Sequence, residues 1–380
     1  MRQSLYKFAA ICLLLLVSLG GHAAEQGAGA IAPSPVPESP LFTSDEVLEL
    51  ALAVDFDALC RPNEVKDCQY SPAILVYQAA DGEQLSIPVE LMVRGGWRAR
   101  KSHCEVPPLF VRFDEAATTG TPFTGQELLP LTTHCKNVKD WTRGTGPSRD
   151  YEEYVLREYL GYRLYNMVTD RSLRVRLVRI TYHNPAQPGE ERIRYAFFTE
   201  HFDDMAARLG AQRLTRHSFD RERVDLRSLD EVALFNYMIG NTDYSVVRER
   251  NIILVADATG RQYPVPYDLD MSGLVDAEYA GVSPRLDFRD PLQRYYLGFC
   301  HPQRDFAALF TDFLGAEQRM LELVSATPGL DRESRKTSRR YLQQFFDILG
   351  SPKKNRRDIM DACHPWPPSP QDHTTPPDSP

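Results

Sequence analysis

The chain has 380 residues, 42% of them hydrophobic and 10% aromatic, enough to bury a sizeable core in one large domain or two lobes. Its formal net charge of −8, with basic runs confined to residues 94–101 and 353–357, argues against a nucleic-acid binder.

At the N-terminus, Arg2 and Lys7 flank the apolar run Phe8 to Leu19, and His22-Ala23-Ala24 offers a small-residue cleavage site. This is the pattern of a secretory signal over residues 1–24. The run is short for a membrane span, and no cysteine follows the expected cut, so no stable membrane anchor is expected. Residues 25–41, rich in Ala, Gly, Pro and Ser, read as a flexible linker. Cleavage leaves Cys60, Cys68, Cys104, Cys135, Cys300 and Cys363. An even count in an exported chain predicts disulfides, and locality suggests Cys60–Cys68, Cys104–Cys135 and Cys300–Cys363. Zinc is the competing use, but the chain has no CxxC pair and no HExxH helix. The compartment implied is periplasmic or extracellular.

Strands come first. Ser71 to Gln78 and Leu85 to Val93, around Asp81-Gly82, predict a hairpin. Arg94 to Lys101 then carries a Gly-Gly step among cations, either a phosphate-approaching loop or a turn with surface arginines. Further strands are expected over Leu109 to Phe113 and Leu128 to Thr133. Tyr151 to Met167 has helical apolar spacing, with Glu158 in its middle, facing either solvent or a phosphate-binding cation. Two strands (Ser172 to Tyr182, Arg194 to Thr199) lead into the crossing segment Glu200 to Arg208. Helices then dominate: Leu229 to Ile239, Arg304 to Ala326 and Arg332 to Leu349. The reading is α+β, with a strand-rich N-lobe at 42–199, a helical C-lobe at 200–363 and a disordered Pro-rich tail at 364–380.

The chemistry concentrates between Phe235 and Gly273. The helix breaks at Gly240 into Asn241-Thr242-Asp243, and an arginine-bearing loop ends at Asn251. Ile252 to Ala256 and Tyr263 to Tyr267 form a hairpin that delivers Asp268 and Asp270. Helix, Asp, loop, Asn, hairpin, Asp is an order suited to phosphoryl transfer, with one carboxylate near the acceptor hydroxyl and an Asn–Asp pair for Mg²⁺. The competing reading has Asn241 and Asp243 capping turns and Asp268 and Asp270 solvating a loop.

Ile239-Gly240-Asn241-Thr242-Asp243 resembles the catalytic-loop motif of HipA-type kinases, and Pro266-Tyr267-Asp268-Leu269 is similar to their metal-binding segment. The signal peptide and the Asp-Leu-Asp variant look closer to exported CotH-type kinases. The resemblance implies a bilobal protein-kinase-like fold with Asp243 and Asn241 in the catalytic loop and Asn251, Asp268 and Asp270 at the metal. It also places Arg94 to Lys101 near the glycine-rich loop, Glu158 on the helix that pairs with a nucleotide-binding lysine, and Phe197 to Glu200 at the adenine hinge. Mg²⁺ or Mn²⁺ with ATP or another nucleoside triphosphate is the implied cofactor set, and an exported protein the implied substrate. The chain departs from the pattern in having Tyr244-Ser245 after Asp243 and Asn251 eight residues on. It also has no lysine on a clear N-lobe strand to pair with Glu158.

Two other readings compete. One is a secreted pseudokinase serving as a binding or scaffold module. The other is a hydrolase using Asp268 and Asp270 as same-face neighbours on an extended strand, about 7 Å apart.

Overall fold

A computed structural model describes residues 39–79, 82–137, 139–140, 149–186, 188–189, 191–281 and 290–368. The expected signal segment, most of the linker and the tail beyond residue 368 lie outside these residues.

Seven strands close into a barrel. They are β1 (Leu48–Ala53), β2 (Ser71–Gln78), β3 (Gln84–Val93), β4 (Leu109–Phe113), β5 (Leu128–Thr132), β8 (Val175–His183) and β9 (Arg192–Thr199). The order around the barrel is β1-β2-β3-β4-β5-β9-β8. Neighbours run antiparallel except at the closing seam, where β1 pairs parallel to β8 from Leu48↔Val178 to Ala53↔His183. Burial alternates along β4, the pattern of a strand with one face inward. The inward side chains, among them Leu52, Leu75, Ile87, Leu91, Val111, Leu131 and Phe198, make one apolar cluster. Pro130, which has no N–H to offer a ladder, lies opposite Phe110. Neither β1 nor the closure was expected from the sequence. Between β5 and β8 lie the short pair β6 (Lys139–Asp140) and β7 (Arg149–Asp150).

Helix α1 (Glu115–Thr118) is a single turn after β4. Helix α2 (Tyr151–Asn166) starts at Asp150, whose carboxylate accepts from Glu152 N. It packs against β8 and β9 and against α5, and so is buried over most of its circumference. After α3 (Phe202–Arg208) and β10 (Gln212–Arg213) come α4 (Leu226–Ile239) and the hairpin β11 (Ile252–Ala256) and β12 (Gln262–Pro266). The antiparallel pair α5 (Phe306–Ala326) and α6 (Arg332–Leu349), then α7 (Pro352–Asn355) and a π-helical turn over Arg356–Met360, are the last elements among the described residues. A second apolar cluster joins α2, α4, α5 and α6 to the hairpin through Leu160, Phe235, Val255, Phe313 and Phe345. Among the described residues no helix is long and apolar enough to cross a membrane.

All three expected disulfides are present, with Cα–Cα separations of 5.5 Å for Cys60–Cys68, 4.6 Å for Cys104–Cys135 and 5.2 Å for Cys300–Cys363. In a chain-entropy picture each restricts the unfolded ensemble, the longer loops most.

Candidate active site

Helix α4 ends where only glycine fits well. Gly240 caps it with φ +65°, and a Cβ there would meet Tyr341 Oη of α6 at 2.0 Å. The Tyr341 hydroxyl is held in place by donating to Leu292 O at 3.1 Å. The next residue, Asn241, is buried and spans two partners: its Nδ2 donates to Asn236 Oδ1 and its Oδ1 accepts from Asp243 N, both at 2.9 Å. Asn236 is fixed in turn by donating to Val232 O. Asn241 therefore acts by positioning the Asp243 backbone.

The Asp243 carboxylate meets Arg250 Nη2 at 2.5 Å and accepts from Asn251 Nδ2 at 3.0 Å. Burial raises its pKa to about 6; Arg250 works against that rise, while Asp270 and Asp268 add to it by repulsion. Asn251 and Asp268 flank the hairpin, whose first pair is Ile252↔Pro266. Both have left-handed backbones, with φ of +50° and +55°. Tyr267 N donates to Asn251 O at 3.0 Å, closing the hairpin base, and Tyr162 Oη of α2 accepts from Asp268 N at 2.9 Å. With Asp268 in the left-handed region, the chain leaves extended geometry there. The same-face strand pair of the hydrolase reading does not form.

The centre of the site is a residue that the sequence reading placed in the Arg94 to Lys101 run but did not single out. Arg98 sits in the 3-10 turn Trp97–Ala99 just after β3. Its guanidinium reaches three carboxylates: Glu158 at 3.3 Å, Asp268 at 2.8 Å and Asp270 at 3.4 Å. Glu158, Asp270 and Arg98 are 3%, 10% and 11% exposed, whereas Asp268 is 41% exposed. Burial opposes the Arg98 charge, but Asp270, Glu158 and Asp268 outweigh it and raise its pKa. Burial likewise pushes the Glu158 and Asp270 carboxyls up, against the pull of Arg98. Tyr279 adds a hydrogen bond to Asp270. Of the two readings of Glu158, facing solvent or facing a cation, the structure shows a buried carboxylate facing the Arg98 guanidinium.

The Arg98 loop is pinned from below. Arg61 donates to Ala99 O at 3.4 Å, Cys104 O at 3.2 Å and Glu105 O at 3.2 Å, and the Cys104–Cys135 bridge closes its base. Arg94 enters the same region by donating to Thr132 Oγ1 at 2.9 Å. Burial and the nearby Arg98 charge both lower its pKa.

The structure thus brings together Asn241, Asp243, Asn251, Asp268, Asp270, Glu158 and Arg94. Two of the expected residues are engaged elsewhere. The Lys101 ammonium pairs with Asp57 at 2.7 Å, and Glu200 holds Arg208 at 2.8 Å while accepting from Arg174 N at 3.1 Å. Arg98 was legible only as part of the basic run at 94–101 and Arg250 only as part of an arginine-bearing loop; Tyr162 and Tyr279 gave no signal.

Among the described residues no group of three or more His, Cys, Asp or Glu is placed to hold a metal ion. Mg²⁺ asks for less, since one or two carboxylates with water and phosphate oxygens satisfy it. The Asn251 amide gives its nitrogen to Asp243, which leaves its oxygen open to a cation, and Asp268 offers a partly exposed carboxylate from the other end of the same hairpin. These residues fit such a cation.

No protein-family model matches the chain, and no curated protein matches it. Among solved structures it is similar to a chain of the Shewanella oneidensis MR-1 toxin–antitoxin complex of HipA, HipB and operator DNA. The two share 14% identity over 61% of this chain and 64% of that one, with a TM-score of 0.28. The chain therefore spans less than two thirds of that relative's length. What the fold and site define together is an α+β protein whose barrel and helical layer share a buried carboxylate–arginine cluster. The case for function is the geometry of that cluster.

Proposed function

We propose that the chain is an exported, kinase-like phosphotransferase of bilobal design. It uses a nucleoside triphosphate, ATP or another, with Mg²⁺ or Mn²⁺, to modify a hydroxyl on an exported protein. The observation that carries this reading is Arg98, held by the helix carboxylate Glu158 beside Asp268 and Asp270, with Asp243 on the adjoining loop. Phosphoryl transfer needs little covalent help from a protein; it needs a cation oriented on the phosphates and an acceptor held in line. Arg98 takes the place of the lysine that the sequence lacks, with a planar fork instead of a point charge, and Arg94 lies near enough to feel its field.

Asn251 and Asp268 would hold the divalent cation, which supplies neutralisation of phosphate charge when bound. Asp243, with a pKa of about 6, is ionised near neutral pH and able to take the acceptor's proton. The three disulfides and the N-terminal segment support an exported location.

A second reading has an observation of its own. Arg98 already neutralises Asp268 and Asp270, which suits a pseudokinase serving as a scaffold without bound metal. Thermal melting with Mg²⁺ and ATP, GTP or UTP separates the two. A phosphotransferase gains stability by mass action, about 2.7 kcal/mol at a hundred times Kd. No shift with any of the three, with or without the metal, removes the enzyme and leaves the scaffold.

A further inference from the structure

The barrel has a polar feature that the site above does not use. Where the C-terminal ends of the parallel strands β1 and β8 meet the segment after β5 lies a cavity of about 240 Å³, whose walls include Phe56, His134 and Tyr182. His134 and Tyr182 are both buried. His134 Nε2 stands 2.9 Å from Asn137 Oδ1, an acceptor, so that nitrogen carries the proton. Burial depresses the ring's pKa to about 4 despite the Asn137 hydrogen bond, so the imidazole is neutral near pH 7. Its Nδ1 is then a bare acceptor, and among the described residues it has no partner. Tyr182 Oη is also buried without a partner among the described residues, and burial keeps it protonated.

Two orphaned polar atoms on residues of one small cavity are a strong anomaly, because buried polar groups are nearly always satisfied. The other polar groups of the wall are committed. Asp57 pairs with Lys101 at 2.7 Å, Glu105 accepts from Asn137 Nδ2 at 3.0 Å, and Asn184 Oδ1 accepts from Ala186 N at 2.9 Å. The Phe56 ring meets Tyr182 edge-on, with centroids 5.5 Å apart, and gives the cavity an apolar wall.

We propose that this barrel-end cavity binds a neutral, polyhydroxylated ligand of monosaccharide size. One ligand hydroxyl donates to His134 Nδ1, and a second exchanges a hydrogen bond with Tyr182 Oη. The C–H face of the ring lies on Phe56. Arg192, the cation in the wall, is engaged as well, and the two groups left open are neutral, so hydroxyls and not charges are what the ligand must offer them. The cavity volume admits one pyranose ring. The proposal is independent of the phosphotransferase reading, and neither needs the other.

Saturation-transfer NMR on the full chain with glucose, galactose, mannose and N-acetylglucosamine tests it. At least one sugar is expected to give saturable transfer. Tyr182→Phe, which keeps the ring and removes the orphaned hydroxyl, should weaken that binding about tenfold, the upper range for one hydrogen bond. His134→Phe is the second variant, should the first fail to fold. Silence from all four sugars overturns the proposal, as does equal affinity in the wild type and a folded variant. Binding of glycerol alone also overturns it, since the cavity would then take a smaller class of molecule.

Discussion

Replacing Arg98 by methionine keeps most of the aliphatic stem and deletes the guanidinium that three carboxylates share. Glu158 and Asp270 lie 3.3 and 3.4 Å from it and are almost wholly buried. At an effective dielectric of about 20, each contact represents about 5 kcal/mol of Coulomb attraction, most of it offset by the desolvation of both ions. Breaking a buried pair from one side typically destabilises by about 3–5 kcal/mol, because a charge is left uncompensated. Asp268 adds little, since its exposed carboxylate is screened by solvent.

The loss must depend on pH. Burial already raises Glu158 and Asp270 above their unfolded values, and Arg98 is what opposes that rise. Without Arg98 both rise further, so the unfolded state releases protons more readily than the folded one as pH increases. The deficit of Arg98→Met is therefore larger at about pH 8 than at about pH 5.5: Asp270 and Glu158 lose their protons at about 6 and about 8 in the wild type and higher still in the variant, so the deficit grows as pH rises through that range and beyond it. Urea denaturation at both pH values measures it. A midpoint equal to wild type at the higher pH, or a deficit that fails to shrink on acidification, would refute the placement of Arg98 at the centre of this cluster.

Asp243→Asn preserves shape and removes the base, so it should leave Mg²⁺–nucleotide stabilisation intact and lower turnover by about 10²- to 10⁴-fold. In the wild type, turnover should climb as pH rises through about 6 and the carboxyl loses its proton; a flat profile across that range would remove Asp243 from the chemistry. Gly240→Ala combines a left-handed backbone with a Cβ placed 2.0 Å from Tyr341 Oη, so a loss of about 2–4 kcal/mol is expected. Tyr341→Phe in the same chain should return part of that stability, and a single variant melting like wild type would count against the packing of α6 on this loop.

Much of the helical half was legible. β11 was read with its observed bounds because Ile252 to Ala256 is a short, uniformly apolar run stopped by a turn, and all five residues are at least partly buried. α6 was read as Arg332 to Leu349, its observed bounds, and the structure caps it with Asp331, whose carboxylate accepts from Ser334 N. The Gly240 break marked the end of α4. The partner of Glu158 was not legible. A lysine was expected on an N-lobe strand, by analogy with a kinase, whereas the cation is Arg98 and comes from the turn after β3. Periodicity says which face of an element is buried; it does not say which loop crosses above it. The closure of the barrel was hidden for a similar reason. β1 has ordinary strand composition, but the parallel pairing that makes it the closing strand depends on β8, far away in sequence.

That seam has a consequence for how the chain becomes native. The β2–β3 pair needs only a short turn between its strands, and its ladder runs from Ser71↔Leu91 to Gln78↔Gln84. It can assemble as soon as both strands exist. β1 can join β2, but its other edge stays open until β8 has been made, because Leu48 pairs with Val178. Closing so large a loop forfeits chain entropy before the contacts reward it, which makes such pairings slow. In a chain delivered from its N-terminus, β1 is the strand that waits longest with an unmatched ladder, and an unmatched ladder is what another chain can capture.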